Sequence, residues 1–396
     1  MRILYHHRTQ GRGAEGVHIV SIVRALEGHG CEVLLLSPPG VDPLDEAGNA
    51  PVDKSGVELS GIRRLFKWIS RHLPNLLFEF LEIGYNLAAW RRLREAMKKG
   101  AVDGVYERYA FFMVASAWLC RRRGVPLIVE ANEVSGIPDR ARPQVMKRLC
   151  DRFEHYYLSR ATHIFTVSSY LRDMMVDKGI DPERITVTPN AIDPQQYREL
   201  PPRDPTLARD LGLEDRLVFG FVGWFDEWDR LDILIRAIGV LRDEGLPVAA
   251  LLVGDGAVRP RLEAQVADLG LEDAVVFTGA VPRSEVRRYT QLLDVAVFSH
   301  SNDFGSPVVL FEFMALGKPV IAPRLPPILD VLEDGRDALL FDRLDETALQ
   351  DRMRALAHDA PLRRRIGEAG RDKVFSRYTW PETARQILQR IHEARA

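Results

Sequence analysis

Short apolar runs alternate with segments of helical periodicity along most of this 396-residue chain. Turn residues bound the runs, and such alternation is typical of parallel strands whose two faces are covered by crossover helices. The strands predicted in the first half are Ile3–Tyr5, Val33–Leu36, Val105–Tyr106, Leu127–Val129 and Ile164–Val167. Those predicted in the second half are Leu217–Val222, Val248–Val253, Val275–Phe277, Val295–Phe298 and Val320–Ala322. The pattern predicts two doubly wound α/β domains in tandem, since one hydrophobic core stops growing at roughly 250–300 residues.

The boundary between the two domains is predicted in the stretch Tyr197–Leu211, where three prolines stand among charged residues and disfavour a helix or a central strand. The first domain then covers residues 1–197 and the second covers residues 198–379. Thr379 and Glu382 have the spacing of a capping box, which predicts a last helix over residues 380–396 that packs back on the first domain.

Composition excludes several classes of protein. The formal net charge of −2 gives no overall field that attracts nucleic acid. Three scattered cysteines, Cys31, Cys120 and Cys150, indicate a reducing compartment and therefore the cytoplasm. The sequence contains no uninterrupted run of about 18 apolar residues, so no transmembrane helix is predicted. The carboxylates show no clustered ligand spacing, so no metal and no other cofactor are expected.

The stretch between residues 302 and 322 carries the most chemical information. Ser306 suits a helix N-cap, Pro307 suits the first helical position, and Gly317 suits the end of the helix. The start of such a helix binds anions, so a diphosphate is expected there. Glu312, about two turns further, is expected to accept hydrogen bonds from a ribose diol. The alternative is a surface glutamate on an amphipathic helix.

Ligands of open parallel sheets bind beyond the carboxyl ends of the strands. The expected site of a two-domain protein of this kind is the cleft between its domains. The alternative is a tandem protein whose domains bind separately.

Five segments in register carry a resemblance to a known family. Residues 312–322, E-F-M-A-L-G-K-P-V-I-A, resemble the "E-A-M-A-x-G-x-P-V-V-A" segment of the family 4 retaining glycosyltransferases. Residues 253–256 resemble "V-G-D-G", and residues 276–279 resemble "V-x-F-x-G". Residues 166–168 and 187–193 are similar to the elements that close the first domain of that family. The resemblance implies the GT-B fold, in which two Rossmann-like domains face an inter-domain cleft.

The resemblance implies an acceptor-binding first domain and a second domain that holds a nucleotide-sugar donor. The implied donor-binding residues are Gly13, Gly223, Arg230, Gly254, Gly279, Arg283, Phe304, Gly305, Ser306, Pro307 and Glu312. Gly13 belongs to the glycine-rich loop Gly11–Gly16, which is expected to close over the donor. The implied catalytic positions are Asn132, Glu133 and Asp303.

The chain departs from the family pattern at the positions that meet the donor phosphates and sugar. Phe304 stands where a glutamate is usual, so that Asp303 is expected to supply the carboxylate. Trp224 and Asp229 replace the usual arginine and lysine, so Arg230 or Arg283 is expected to contact the diphosphate instead. Asn132 precedes Glu133 where relatives carry "H-E" or "H-D".

The predicted function is retaining transfer of a sugar from a nucleotide-sugar to an unidentified acceptor, with no protein nucleophile. A nucleotide-sugar epimerase and a pseudo-glycosyltransferase or coupling enzyme remain alternatives. The basic, aromatic-containing stretches Arg63–Trp68 and Trp90–Lys99 flank the apolar Leu73–Leu87. They predict either peripheral contact with the inner face of a membrane or helices that simply cover the first domain.

Overall fold

The structure is a computed structural model that describes residues 1–9, 13–38, 41–44, 74–138 and 144–395. Gly11 and Arg12 of the glycine-rich loop lie outside the described residues, as does the stretch Arg63–Trp68. The chain forms two compact units, Met1–Thr188 with Pro381–Ala396, and Pro189–Trp380. The second unit thus begins earlier than the predicted boundary at residues 197–198.

The first unit is built on a six-stranded parallel sheet. Its strands are β1 Arg2–His6, β2 Glu32–Leu36, β3 Gly104–Arg108, β4 Leu127–Ala131, β5 His163–Thr166 and β6 Ile185–Val187. They lie in the order β2-β1-β3-β4-β5-β6. Every strand predicted in this half is confirmed, and β6 is an additional edge strand.

Helices cover this sheet. Among the described residues before 188, the helices are α1 Gly13–Gly28, α2 Asn75–Ala96, α3 Ala115–Arg123, α4 Lys147–Leu158 and α5 Ser169–Asp177. The apolar stripe predicted on α1 is buried, because Ile19, Ile22 and Leu26 are fully enclosed. A doubly wound arrangement is therefore observed, with β1 and β3 as neighbours at the reversal of strand order.

The second unit repeats this architecture. Its strands are β7 Leu217–Trp224, β8 Val248–Asp255, β9 Val275–Gly279, β10 Val295–Val297, β11 Val320–Pro323 and β12 Leu339–Phe341. All pairings are parallel, in the order β12-β11-β10-β7-β8-β9. The central strands are buried on both faces, as continuous apolar runs require.

The first helix of the second unit begins inside the stretch that was predicted to be a linker. The helices of this unit are α6 Pro205–Asp210, α7 Leu231–Asp243, α8 Arg259–Asp268, α9 Arg283–Thr290, α10 Val308–Ala315, α11 Pro326–Leu329, α12 Glu346–His358 and α13 Ala360–Arg377. The expectation of an irregular linker at Tyr197–Leu211 is wrong, since Asp204 caps α6 and Pro205 occupies its first turn.

The last helix, α14 Trp380–Glu393, follows the predicted capping segment. Its residues from Pro381 onward belong to the first unit. A Cβ atom at Gly104 of β3 would lie 2.9 Å from Cδ1 of Ile391, so the helix packs closely on the first sheet. In the described part of the chain, no helix is long and apolar enough to cross a bilayer.

Candidate active site

The strand order of the second sheet reverses between β7 and β10, and the chain segments that follow these two strands meet at its carboxyl edge. Such a reversal is where open α/β sheets bind their ligands. His300, after β10, contacts the segment after β7, because its Nδ1 lies 3.0 Å from the carbonyl oxygen of Trp228. A carbonyl only accepts, so Nδ1 carries the proton and donates.

The other ring nitrogen of His300 is an unusual acceptor. Burial, helped by the nearby Arg343 and Arg230 and opposed by the hydrogen bond to Trp228, lowers the pKa of His300 and favours the neutral ring. Its Nε2 is buried and has no hydrogen-bond partner among the described residues. A buried acceptor without a partner costs free energy until a donor group reaches it.

The predicted phosphate turn is held from both sides. Asn302 Oδ1 accepts hydrogen bonds from the backbone nitrogens of Gly305 at 2.6 Å and Phe304 at 3.2 Å. Asn190 binds the next residue, donating its backbone N–H to Ser306 Oγ at 3.0 Å and its Nδ2 to Ser306 O at 2.6 Å. The turn at residues 302–307 is therefore fixed by two asparagines.

The predicted helix start is wrong by one residue. Helix α10 begins at Val308 with Pro307 as its N-cap, and Ser306 does not cap it because its hydroxyl already accepts from Asn190. Pro307, as the N-cap, makes no side-chain hydrogen bond to the first turn. The N–H groups of that turn thus keep the partial positive charge of a helix start.

Glu312 and Arg283 lie in contact, although they were predicted independently. Arg283 Nη2, on α9, donates to Glu312 Oε1, on α10, at 3.1 Å. The side chain of Glu312 is 17 % exposed, against 53 % for Arg283. Burial raises the pKa of Glu312, and Arg283 opposes that rise. Glu312 Oε2 makes no hydrogen bond within the described residues, so one oxygen of a largely buried carboxylate stays open to a ligand.

Asp303 also has an arginine partner. Arg343 lies in the loop after β12. Its Nη1 donates to both carboxylate oxygens of Asp303, at 2.9 Å and 3.1 Å. The side chain of Arg343 is half exposed. Its Nε and Nη2 make no hydrogen bond with a described residue, so this guanidinium retains donors for an anion.

The segment after β7 offers less positive charge than the sequence suggests. Arg230 binds Asp232 through two hydrogen bonds of 2.9 Å each, and its backbone is left-handed with a φ of 47°. Asp229 Oδ2 accepts from the backbone nitrogen of Asp226 at 2.9 Å, and so caps the short helix Glu227–Asp229 instead of α7. Burial raises the pKa of Asp229 to about 7.

The predicted donor glycines close the ends of neighbouring strands at this edge. Gly223 lies near the end of β7, Gly254 near the end of β8, and Gly279 ends β9. Gly254 has a φ of 136°, and a Cβ atom there would lie 1.8 Å from the carbonyl oxygen of Gly223. The backbones of β7 and β8 therefore require glycine at position 254, independently of any ligand.

In the first unit, Asn132 belongs to a network around the buried Glu130. Glu130 Oε1 lies 3.0 Å from His18 Nε2 and 3.1 Å from Arg108 Nη1. Burial alone would raise the pKa of Glu130, but His18 and Arg108 outweigh burial and hold it well below its usual value. Asn132 Nδ2 also donates to this carboxylate.

The orientation of the Asn132 amide follows from that contact. A carboxylate only accepts, so the amide nitrogen faces Glu130 and the amide oxygen faces away from it. Asn132 Oδ1 is buried without a partner among the described residues. Glu133 follows it at the half-buried start of the next loop, and Gly13 is the first residue of α1.

Comparison with known proteins agrees with this architecture. A model described as "Glycosyltransferase Family 4" matches residues 15–196, and one described as "Glycosyl transferases group 1" matches residues 204–373. A D-inositol 3-phosphate glycosyltransferase of Stackebrandtia nassauensis is 31 % identical over 316 residues, which is 75 % of this chain and 69 % of that protein.

The chain belongs to the family 4 glycosyltransferases.

Solved glycosyltransferase structures share the fold. A glycosyltransferase of Rickettsia africae aligns with a TM-score of 0.75 at 15 % identity, covering 99 % of this chain and 98 % of that one. HepE of Anabaena, solved in complex with UDP-glucose, aligns with a TM-score of 0.68 at 18 % identity, covering 99 % of this chain and 100 % of that one. Both six-stranded units of this family 4 glycosyltransferase are thus Rossmann-like domains of the GT-B type.

Three residues of the candidate site were not predicted from the sequence. Glu130 is the next-to-last residue of the buried strand β4, His300 follows the buried strand β10, and Arg343 lies in an ordinary loop. A charged residue inside the run Val129-Glu130-Ala131 was the available signal, because a buried strand accommodates a carboxylate only when it is paired.

Proposed function

We propose that this glycosyltransferase takes its sugar from a nucleotide-linked donor held by the second unit. The observation that carries the proposal is the largely buried Glu312 carboxylate, paired with Arg283 through one oxygen and open at the other. An ionised carboxylate is an acceptor only, and it matches the two hydroxyl groups of a ribose. The UDP-glucose complex of HepE supports the same class of donor.

The diphosphate is proposed to bind beside the turn at Gly305–Pro307. The uncapped first turn of α10 supplies about half a positive charge, whereas a diphosphate carries about two negative charges. Arg343 is proposed as the additional cation, because it can keep Asp303 on Nη1 while Nε and Nη2 bind phosphate. Arg230 would first have to leave Asp232, and Arg283 is proposed to orient Glu312.

Transfer is proposed to retain the anomeric configuration. In such a reaction the departing diphosphate takes the proton of the acceptor hydroxyl on the same face of the sugar, so that no protein nucleophile is required. The chief catalytic task is then stabilisation of the leaving phosphates. Asn132 and Glu133 of the first unit are proposed to contribute to the reaction without forming a covalent intermediate, Asn132 through hydrogen bonds alone, since an amide is neither an acid nor a base.

Titration calorimetry with nucleoside diphosphates tests the ribose assignment. We expect Glu312→Ala to weaken nucleotide binding by about 1–3 kcal/mol, the range for losing a charged hydrogen-bond partner. Glu244→Ala is the matched control, because Glu244 is also paired with an arginine, Arg354, and lies just before β8 at the opposite edge of the sheet. Equal nucleotide affinity of both variants would remove Glu312 from the site.

Turnover tests the reaction class. Nucleoside diphosphate released only when an acceptor is added indicates transfer, whereas consumption of the donor without an acceptor indicates an epimerase or a hydrolase. Nuclear magnetic resonance of the product then reports its anomeric configuration, and inversion would refute the proposed mechanism.

A further inference from the structure

Helix α2 presents an apolar face to solvent. Leu77, Phe80, Leu81 and Leu87, here called the outer stripe, are each between 50 and 56 % exposed. Phe80 and Leu81 follow Leu77 by three and four residues, and Leu87 follows Leu81 by six and Phe80 by seven. All four side chains therefore lie along one side of the helix. The opposite side, which includes Glu79, Ala89 and Leu93, is buried in the first unit. A helix packed on a domain normally shows the reverse, with polar residues outward.

The same outward side changes from apolar to basic toward the end of α2. Arg91, Arg94 and Lys98 continue the exposed face after Leu87, with one exposed carboxylate, Glu95, among them. Helix α3 runs beside it in the same direction, because Asn86 binds the backbone nitrogens of Val114 and Ala115 while Trp90 contacts Trp118.

The exposed residues Arg121, Arg122 and Arg123 therefore lie at the same end as Arg94 and Lys98. The basic end is defined here as Arg91, Arg94, Lys98, Arg121, Arg122 and Arg123. Within the described part of the chain none of them forms an ion pair with a carboxylate.

Two tryptophans separate the outer stripe from the basic end. The ring centroids of Trp90 and Trp118 are 6.4 Å apart, and Trp118 is 42 % exposed. Each ring is covered by an arginine, Arg94 over Trp90 at 5.1 Å and Arg122 over Trp118 at 5.4 Å. The order along about 33 Å of helix is thus apolar, aromatic and cationic.

We propose that this face docks the first unit on an anionic phospholipid bilayer. Apolar side chains enter the boundary between headgroups and acyl chains, tryptophans favour the interface, and arginines and lysines bind anionic headgroups. Charge complementarity selects lipid as the occupant, because cations that have no carboxylate partner among the described residues lie next to exposed apolar side chains, and an anionic bilayer offers a complement to both. The inference does not rest on the proposed donor, since it concerns only α2 and α3.

Flotation of the full-length protein with vesicles tests the proposal. We expect binding to vesicles of phosphatidylcholine mixed with phosphatidylglycerol and much weaker binding to phosphatidylcholine alone. The variant Leu77→Asn/Phe80→Ser/Leu81→Asn is expected to lose binding by about tenfold or more, because three apolar side chains no longer enter the bilayer. The variant Arg94→Gln/Lys98→Gln is expected to lose about fivefold per cation and part of its sensitivity to salt.

Matched controls separate docking from misfolding. Leu269→Asn/Leu329→Asn removes two similarly exposed leucines of the second unit and is expected to leave flotation unchanged. The thermal shift on adding a nucleoside diphosphate, which reports the donor site alone, should be the same in every variant that folds.

Three results would overturn the inference. The first is wild-type protein that does not float with anionic vesicles at low salt. The second is equal flotation of the outer-stripe variant and the wild type. The third is a wild-type dimer in light scattering that becomes a monomer in the outer-stripe variant, since a second copy of the chain would then be the occupant.

Discussion

Replacement of Asp229 by asparagine is expected to stabilise the second unit at alkaline pH. Asp229 is buried, and its Oδ2 accepts a hydrogen bond from the backbone nitrogen of Asp226 at 2.9 Å. Burial, with a smaller contribution from the Asp226 carboxylate, raises the pKa of Asp229 from its usual 3.8 to about 7. Asparagine has nearly the same shape and can accept the same hydrogen bond, so the substitution removes chiefly the charge.

The sign and the size of the effect follow from the two pKa values. The folded state holds the Asp229 proton more tightly than the unfolded state does, so the associated stabilisation is complete below pH 3.8 and is lost as the pH rises through about 7. The difference of about 3 pKa units corresponds to about 4 kcal/mol in the free energy of unfolding. For a unit of this size that is a change in Tm of about 10 °C.

Thermal unfolding followed by calorimetry at acidic and alkaline pH measures this difference. The transition of the second unit should be about 10 °C higher in Asp229→Asn than in the wild type at about pH 8.5, and nearly the same in both at about pH 4. Asp210→Asn, which changes an exposed carboxylate of the same unit, is the control. A Tm difference that does not change with pH would refute the burial argument.

Two further substitutions test the electrostatics of the two units. Arg283→Ala is expected to shift the loss of nucleotide binding at acidic pH to higher pH, because Arg283 lowers the pKa of Glu312 and only the ionised carboxylate accepts both ribose hydrogen bonds. Titration calorimetry at a series of pH values measures this shift. Loss of binding at the same pH in the variant and the wild type would contradict it. Asn132→Asp is expected to destabilise the first unit by about 1–3 kcal/mol at neutral pH, because it sets a second carboxylate against Glu130. Recovery of Tm at acidic pH should follow, and an unchanged Tm at neutral pH would speak against the network.

The strands could be predicted because most of them are buried on both faces and leave a continuous apolar run. The strands β6 and β12 were missed, since each has only three residues and pairs on one side alone at the edge of its sheet. A short edge strand depends on its neighbour for its hydrogen bonds, and that neighbour is not visible in local periodicity.

The site was predictable residue by residue but not as a set of contacts. Glu312 and Arg283 were identified separately, and only the fold shows that α9 and α10 bring them together. The helix start was placed at Ser306 because local propensity favours serine there, whereas Asn190, 116 residues earlier in the chain, takes its hydroxyl. Contacts between distant parts of the chain also define the pairs His300–Trp228 and Asp303–Arg343.

The return of α14 to the first unit has a consequence for protein synthesis. A ribosome releases residues 1–188 long before it makes Pro381, so the first unit is completed only after the whole second unit has been made. Until then the surface at Gly104 that later receives Ile391 stays uncovered, and His29 lacks the carbonyl of Pro381 that it binds at 2.9 Å. A gene fragment that ends after residue 188 would encode an unfinished domain, whereas fusing residues 381–396 to that fragment through a linker would restore its missing piece.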